Sequence, residues 1–344
     1  MGVSAILKEF SRTATLSYAR TRQPRNYVGE TLFPSNAVNE LTFEYWKDLN
    51  LLPVMASVQA YGAEAEQASR EGAERVTGEI PTIKRKIPLT GRALVALRRE
   101  GAGDVDIVRN TLYNDLDNMI DAVHARVEQM RIDAVANGKI ELNENGVVME
   151  VDYGVPANHQ ETLSGNDLWS DHANSNPIEN IQDWVHTIIA DTGITPTRAL
   201  TSNTVVANLM KSAEIRRLIY GDAGGSRAIS LNQLNELMRT MNLPSIATYD
   251  LQVRRQARDG SYSTSRFFPE DKFVLWPGEK LGDTLFGPTE DAMLDADIQA
   301  TELAGVYAAV YQQTMDPPVI ETKAAASAIP TFPMADTVFQ ATVI

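Results

Sequence analysis

Between Asp104 and Asn137 the apolar residues Val105, Val108, Leu112, Leu116, Met119, Val123, Val127 and Met130 recur at intervals of three and four. That spacing puts them on one stripe of an α-helix. At about 1.5 Å per residue the helix is roughly 50 Å long. Asp104 follows Gly103 as an N-cap, and Gly138 follows Asn137 as a stop, because glycine enters the left-handed conformation that ends helices at little steric cost. Next comes KIELNENGVVMEVDYG, two alternating runs around Asn143 to Gly146, which predicts a β-hairpin. A long helix packed beside a hairpin is therefore expected.

From Val155 to Pro177 the pattern turns polar and irregular, which marks a boundary. Pro177 then opens a helix whose face carries Ile178, Ile181, Trp184, Val185, Ile188 and Ile189 and which stops at Gly193. A short strand TRALTS leads into helical TVVANLMKSAEIRRLI, and Ser230 caps a further helix LNQLNELMRTM. The runs SIATYDLQVR, KFVLWP and GVYAAVYQQ read as strands. After Asp316, the segment from Val319 to Ile344 reads as extended, interrupted by Pro330 and Pro333. The fold class is α+β.

One stretch has no core of its own. EAEQASREGAERVTGEIPTIKRKIP, residues 64 to 88, holds few large apolar side chains, yet its flanks VMASVQAYG and TGRALVALR are apolar enough to be ordered. Folded near Gly72, each arm of a hairpin would span about 15 residues, or roughly 50 Å, against a radius of gyration of roughly 20 Å for a compact chain of this size. Such a hairpin projects, so another chain is expected to cover it. The candidate contact residues are Glu64, Glu66, Glu71 and Glu74 before the turn and Lys84, Arg85 and Lys86 after it.

Charge narrows the partners. The chain of 344 residues has 31 Lys plus Arg against 45 Asp plus Glu, a formal charge of -14, which disfavours non-specific binding to nucleic acid. Locally, Lys8, Arg12, Arg20, Arg22 and Arg25 make the first thirty residues a basic arm that suits a neighbour, a scaffold or packaged nucleic acid. Cysteine is absent, which excludes disulfides and thiolate chemistry and suits a reducing cytoplasm. No apolar run is long enough for a signal-peptide core or a membrane span.

Catalytic signatures are weak. His159, Asp167, Asp171 and His172 could in principle hold zinc or manganese, but they lie in a polar connection without helical ligand spacing. GDAGGSR fits no phosphate-binding pattern, and no nucleophile elbow occurs. Trp169, Trp184 and Trp276 are expected in cores or subunit contacts. No cofactor is expected, and a metal-dependent enzyme built on the histidine cluster is the runner-up.

The segments RIDAVANGKI at 131 to 140, VDYGVP at 151 to 156, FFPEDKFVLWPGEKLGDTLFGPTED at 267 to 291 and MDPPVIETKAAASAIP at 315 to 330, in that order, resemble the lambda-type major capsid protein E family of tailed bacteriophages. The resemblance covers nearly the whole chain. It implies the Hong Kong 97-type capsid fold, with an N-terminal arm at 1–45, an extended loop at 46–98, and a peripheral domain at 99–176 built on a spine helix at 104–137. An axial domain at 177–315 and C-terminal strands at 316–344 returning to the peripheral domain would complete it. The implied function is a structural, non-enzymatic shell around double-stranded DNA, built as hexamers and pentamers in the host bacterial cytoplasm. The implied partners are other copies of the chain, a separate scaffolding protein, a portal and a decoration protein, with non-specific contact to packaged DNA. An encapsulin-like shell is a variant of the same reading.

Overall fold

The computed structural model describes residues 10–21, 25–48, 55, 73–97, 104–144, 146–222, 227–257, 259–278, 280–293, 305–313 and 319–344. Its helices are α1 (Arg12–Thr21), α2 (Val28–Leu32), α3 (Gly91–Leu97), α4 (Asp104–Asn137), α5 (Pro177–Thr192), α6 (Asn203–Leu209), α7 (Ala213–Tyr220), α8 (Leu231–Thr240) and α9 (Glu290–Met293). The strands up to the middle of the chain are β1 (Ser35–Ala37), β2 (Thr42–Asp48), β3 (Ala73–Glu79), β4 (Thr82–Thr90), β5 (Lys139–Glu144), β6 (Val147–Asp152), β7 (Gln160–Thr162) and β8 (Arg198–Thr201). They are followed by β9 (Ser245–Thr248), β10 (Gln252–Gln256), β11 (Tyr262–Arg266), β12 (Lys272–Trp276), β13 (Thr284–Gly287), β14 (Tyr307–Gln313), β15 (Val319–Pro330) and β16 (Phe339–Thr342). The chain divides into two compact units, one of residues 1–43, 77–131 and 283–331, the other of residues 44–76, 132–282 and 332–344.

The first unit is organised by β15. Its residues 319–325 pair antiparallel with β14 on one edge, residues 327–330 pair with β13 on that same edge, and β4 runs along the other edge from Thr82 to Thr90. β1 extends the sheet in parallel beyond β13. Ala324, Ala325, Ala326 and Ala328 on β15 are fully buried. Side chains this small let neighbouring elements approach the sheet closely. On one face Leu16 of α1 packs with Tyr307, Ala309, Ala325 and Ala292, and Thr15 donates to the carbonyl of Ala308 at 2.9 Å.

Helix α4 carries the stripe read from the sequence. Val108, Leu112, Leu116, Met119, Val123, Val127 and Met130 are all buried. Toward its end, however, the polar residues Glu128, Gln129 and Arg131 are buried as well. The Arg131 guanidinium donates from Nε to Thr284 Oγ1 at 2.7 Å and from Nη2 to Ser35 Oγ at 3.1 Å, and pairs with Glu30 at 2.5 Å. Glu128 lies 3.9 Å from the same guanidinium and accepts the backbone N–H of Gly29 at 3.0 Å. Gly29 is required by this approach, because a Cβ there would stand 2.8 Å from Arg131 Cβ.

The second unit holds a mixed sheet in the order β7, β16, β12, β8, β9. β12 is antiparallel to β8 and β16, whereas β9 runs parallel to β8 and β7 parallel to β16. Its core is aromatic: the Trp169 and Trp184 ring centroids are 5.7 Å apart, Phe273 stands edge-on to Trp169 at 5.0 Å, and Phe339 stacks on Trp184 at 5.2 Å. Trp276 is buried too, so the three tryptophans are core residues. α5 starts at Pro177 and ends on Gly193 in the left-handed region, as its sequence predicts, although Ile189 on its expected apolar face is 36% exposed. The α5 N-terminus is capped from a distance, by Glu214 accepting the N–H of Ile178 at 2.9 Å; burial raises the pKa of this carboxyl. Ser230 and Gln233 form a reciprocal capping box on α8.

Several sequence expectations are corrected here. The helical run 204–219 is two helices, because the backbone leaves the helix around Ser212, the N-cap of α7. SIATYDLQVR is likewise two strands, β9 and β10. The extended C-terminal run splits: β15 belongs to the first unit, while β16 hydrogen-bonds to β12 in the second. The compact units therefore cut the chain differently from boundaries at 176 and 315. The hairpin after α4 forms as predicted, β5 against β6 from Lys139–Asp152 to Glu144–Val147.

Gly138 ends α4 at φ 68°, and its N–H closes the last turn on Ala134 at 3.0 Å. A Cβ at this position would lie 2.9 Å from Val155 Cγ2. Gly138→Val adds that clash to a positive φ, so we expect a loss of about 2 kcal/mol or more, read as a lower melting temperature and a reduced soluble yield. An unchanged melting temperature would mean the helix ends elsewhere.

Candidate assembly surfaces

The stretch without a core begins as a ribbon of β2 paired with β3. Alternation sorts its side chains: Phe43 and Lys47 are buried on one face, whereas Glu44 and Trp46 are exposed on the other. The ring of Phe43 lies over Gly78, where a Cβ would come within 2.7 Å of it. Glu44 pairs with Arg75 across the ribbon at 2.5 Å. Trp46 is 58% exposed, an unusual position for a large aromatic.

Lys47 is the anchor of β2 in the second unit. Its ammonium reaches Gly154 O at 2.6 Å, Tyr153 O at 3.4 Å and Asp336 at 2.7 Å while only 5% of the side chain is exposed. A buried ammonium is tolerated only when its donors are satisfied, and here three acceptors meet it. The sequence signal was available, since Lys47 shares the period-two face of Phe43 and Tyr45, but its acceptors lie more than a hundred residues away.

The structure corrects the placement of the basic trio. Lys84, Arg85 and Lys86 are not on a free arm; they sit on β4, opposite Ala325, Ala324 and Lys323 of β15 in the same chain. Lys84 reaches Glu290 at 2.5 Å and Asp291 at 3.6 Å, Lys323 shares Asp291 at 2.5 Å, and Lys86 pairs with Glu321 at 2.8 Å. The hydrogen bond to Glu290 raises the Lys84 pKa, and Lys86 lowers that of Glu321. Burial, followed by a hydrogen bond to Glu321, pushes Tyr311 up to about 12. Lys86 and Lys323 stand directly opposite without conflict because each has its own carboxylate. β4 has no second strand partner among the described residues, and lysines with Pro88 are what keep such an edge from pairing indiscriminately.

Of the acidic candidates, Glu64, Glu66 and Glu71 lie outside the described residues, as does the expected turn at Gly72; Glu74 is on β3. The metal candidates are not brought together. His159 is buried, with Nε2 3.1 Å from Asp191 and its ring stacked on Phe339. His172 Nε2 instead meets Asn208 at 3.0 Å, and Asp171 accepts from Asn174 at 2.8 Å in its own turn. Among the described residues no group of three or more metal-ligating side chains occurs. No described helix is long and apolar enough to cross a membrane.

Comparison with solved structures defines the fold. A structure described as a prophage capsid protein from E. coli CFT073 superposes with a TM-score of 0.59 at 15% identity, covering 96% of this chain and 97% of that one. A phage-related protein from Bordetella bronchiseptica RB50 gives 0.51 at 14% identity, covering 96% of each. The fold is the Hong Kong 97-type capsid fold. No curated protein matches the sequence. The sequence profile of phage major capsid protein E matches residues 12–343, and the chain belongs to that family of shell-forming virion proteins.

Because the basic trio is held within its own sheet, reversing Lys84, Arg85 and Lys86 to Glu should weaken the subunit itself. It would face Asp291, Glu290 and Glu321 with new carboxylates, for a cost of about 1 to 3 kcal/mol. Thermal melting of the unassembled subunit measures it, and a variant that melts like the wild type would show that these pairs contribute nothing to the fold.

Proposed function

We propose that this chain assembles as hexamers and pentamers into the icosahedral head of a tailed bacteriophage, first as a prohead and then as the mature shell around double-stranded DNA. The observation that carries this reading is the family match running through residues 12–343 rather than over one segment. The ribbon of β2 and β3 with its exposed Trp46 supports it, since a large apolar side chain on an exposed strand gains stability only when another surface covers it. We assign residues 1–45 to an N-terminal arm, α4 to the spine helix, the β2–β3 ribbon from residue 46 onward to the extended loop, and the sheet of the second unit to the axial domain. Glu64, Glu66, Glu71 and Glu74 are assigned to contacts with a neighbouring copy.

The role is structural, with no catalytic step and no cofactor. A separate scaffolding protein and a portal complete the assembly, and a decoration protein fits the same reading. Contact with DNA is non-specific and local, because the chain as a whole is acidic.

Negative-stain electron microscopy of the purified protein, expressed alone and with its co-encoded neighbours, tests the reading. Closed shells of uniform diameter are expected. A protein that stays monomeric at high concentration in both preparations would overturn it.

A further inference from the structure

The ribbon of β10 and β11 in the second unit is largely exposed. Among the described residues its strands pair only with each other, from Gln252–Arg266 to Gln256–Tyr262, with Gly260 between them at φ 86°. Two-stranded ribbons without a covering layer are marginal in water. Register puts Arg254 and Tyr262 on one face, and there the Arg254 guanidinium lies over the Tyr262 ring at 4.5 Å from its centroid. Tyr262 is 58% exposed, and Leu251, at the opposite end of the ribbon, is 44% exposed. The opposite face carries Arg255, which reaches Glu144 of β5 at 3.9 Å.

The ribbon's charge runs against that of the chain. Residues 251–266 contain Arg254, Arg255, Arg258 and Arg266 with only Asp259 opposing them, a net +3, which leaves -17 for the rest of a chain of -14. The rest of a second copy is therefore strongly acidic and attracts this ribbon by charge. Nucleic acid fits less well, because Arg266 is already paired with Asp250 and Arg255 faces Glu144, so few cations remain to displace counterions. Tyrosine and arginine are, by contrast, among the side chains enriched at the hot spots of protein interfaces.

We infer that the Arg254–Tyr262 face of this ribbon docks on the acidic surface of a second copy of the chain, Tyr262 supplying the buried anchor and Arg254 the charge. The contact is heterologous, a different patch on each partner, the kind that propagates into rings. The inference rests on the reading of the chain as self-assembling.

The test is the double variant Arg254→Glu with Tyr262→Ala, alongside the single variant Arg254→Gln. Four measurements are made on each and on the wild type: thermal melting, self-association by sedimentation velocity over a concentration series, shell formation by electron microscopy, and binding to a DNA duplex of about 30 base pairs. Both side chains are exposed, so melting should not change. The concentration needed for self-association should rise about tenfold or more in the double variant and by less in Arg254→Gln, and that shift in the wild-type equilibrium should weaken with salt. Association of the wild type into oligomers that never close, lost in the double variant, would support the docking while overturning the shell. Normal shells from the double variant would overturn the docking alone. So would normal association with lost DNA binding, which would make the ribbon a nucleic-acid contact. A wild type that never self-associates would overturn both, and a double variant that fails to fold while Arg254→Gln associates normally would show the ribbon to be an internal structural element.

Discussion

In the first unit, the position of α4 depends on one buried cation. Arg131 sits in the last third of a helix whose apolar stripe would by itself fix only which face turns inward. Its guanidinium is fixed at Thr284 Oγ1, Ser35 Oγ and Glu30, and Thr284 passes the connection on by donating to Phe33 O at 2.8 Å. Glu128 supplies the second anchor through the Gly29 N–H. Two segments distant in sequence, residues 29–35 and the strand at Thr284, are thereby set in register on one helix. A guanidinium suits this task because its planar fork of donors fixes directions, which apolar packing does not. Burying it with Glu128 costs desolvation, so the pair defines geometry more than it adds stability.

The remaining charges divide by what they hold. Lys84, Lys86 and Lys323 bind β4 to its sheet through Asp291, Glu290 and Glu321, and Lys47 fixes β2 through Asp336 and two carbonyls. These are contacts the chain makes with itself. Trp46 on the β2–β3 ribbon and Tyr262 with Arg254 on the β10–β11 ribbon are exposed side chains of the kind that interfaces bury. A shell protein has to fold first and still keep such surfaces open, and here the two tasks fall to different residues.

The elements legible in the sequence were those specified locally. The span of α4 follows from a strict apolar period and a glycine able to take φ 68°, and α5 and α8 were bounded by Pro177, Gly193 and the Ser230 cap. What could not be read depended on distant partners. Glu128 and Arg131 look like a solvated helix face until Gly29 and Thr284 arrive, at separations of 99 and 153 residues. The basic trio looked partner-facing because Glu290 and Glu321 lie 206 and 235 residues downstream. The break at Ser212 was hidden because apolar spacing continues across it. The family was legible from the order of four segments, none of which carries chemistry.

Equilibrium unfolding of Arg131→Met, beside Glu128→Leu and the double variant, tests the central claim most directly. If the guanidinium fixes α4, Arg131→Met leaves the buried Glu128 carboxylate without its neighbouring cation and loses about 3 to 5 kcal/mol, while the double variant loses clearly less than the sum of the two singles. An Arg131→Met subunit within about 1 kcal/mol of the wild type, or strictly additive losses, would contradict the account.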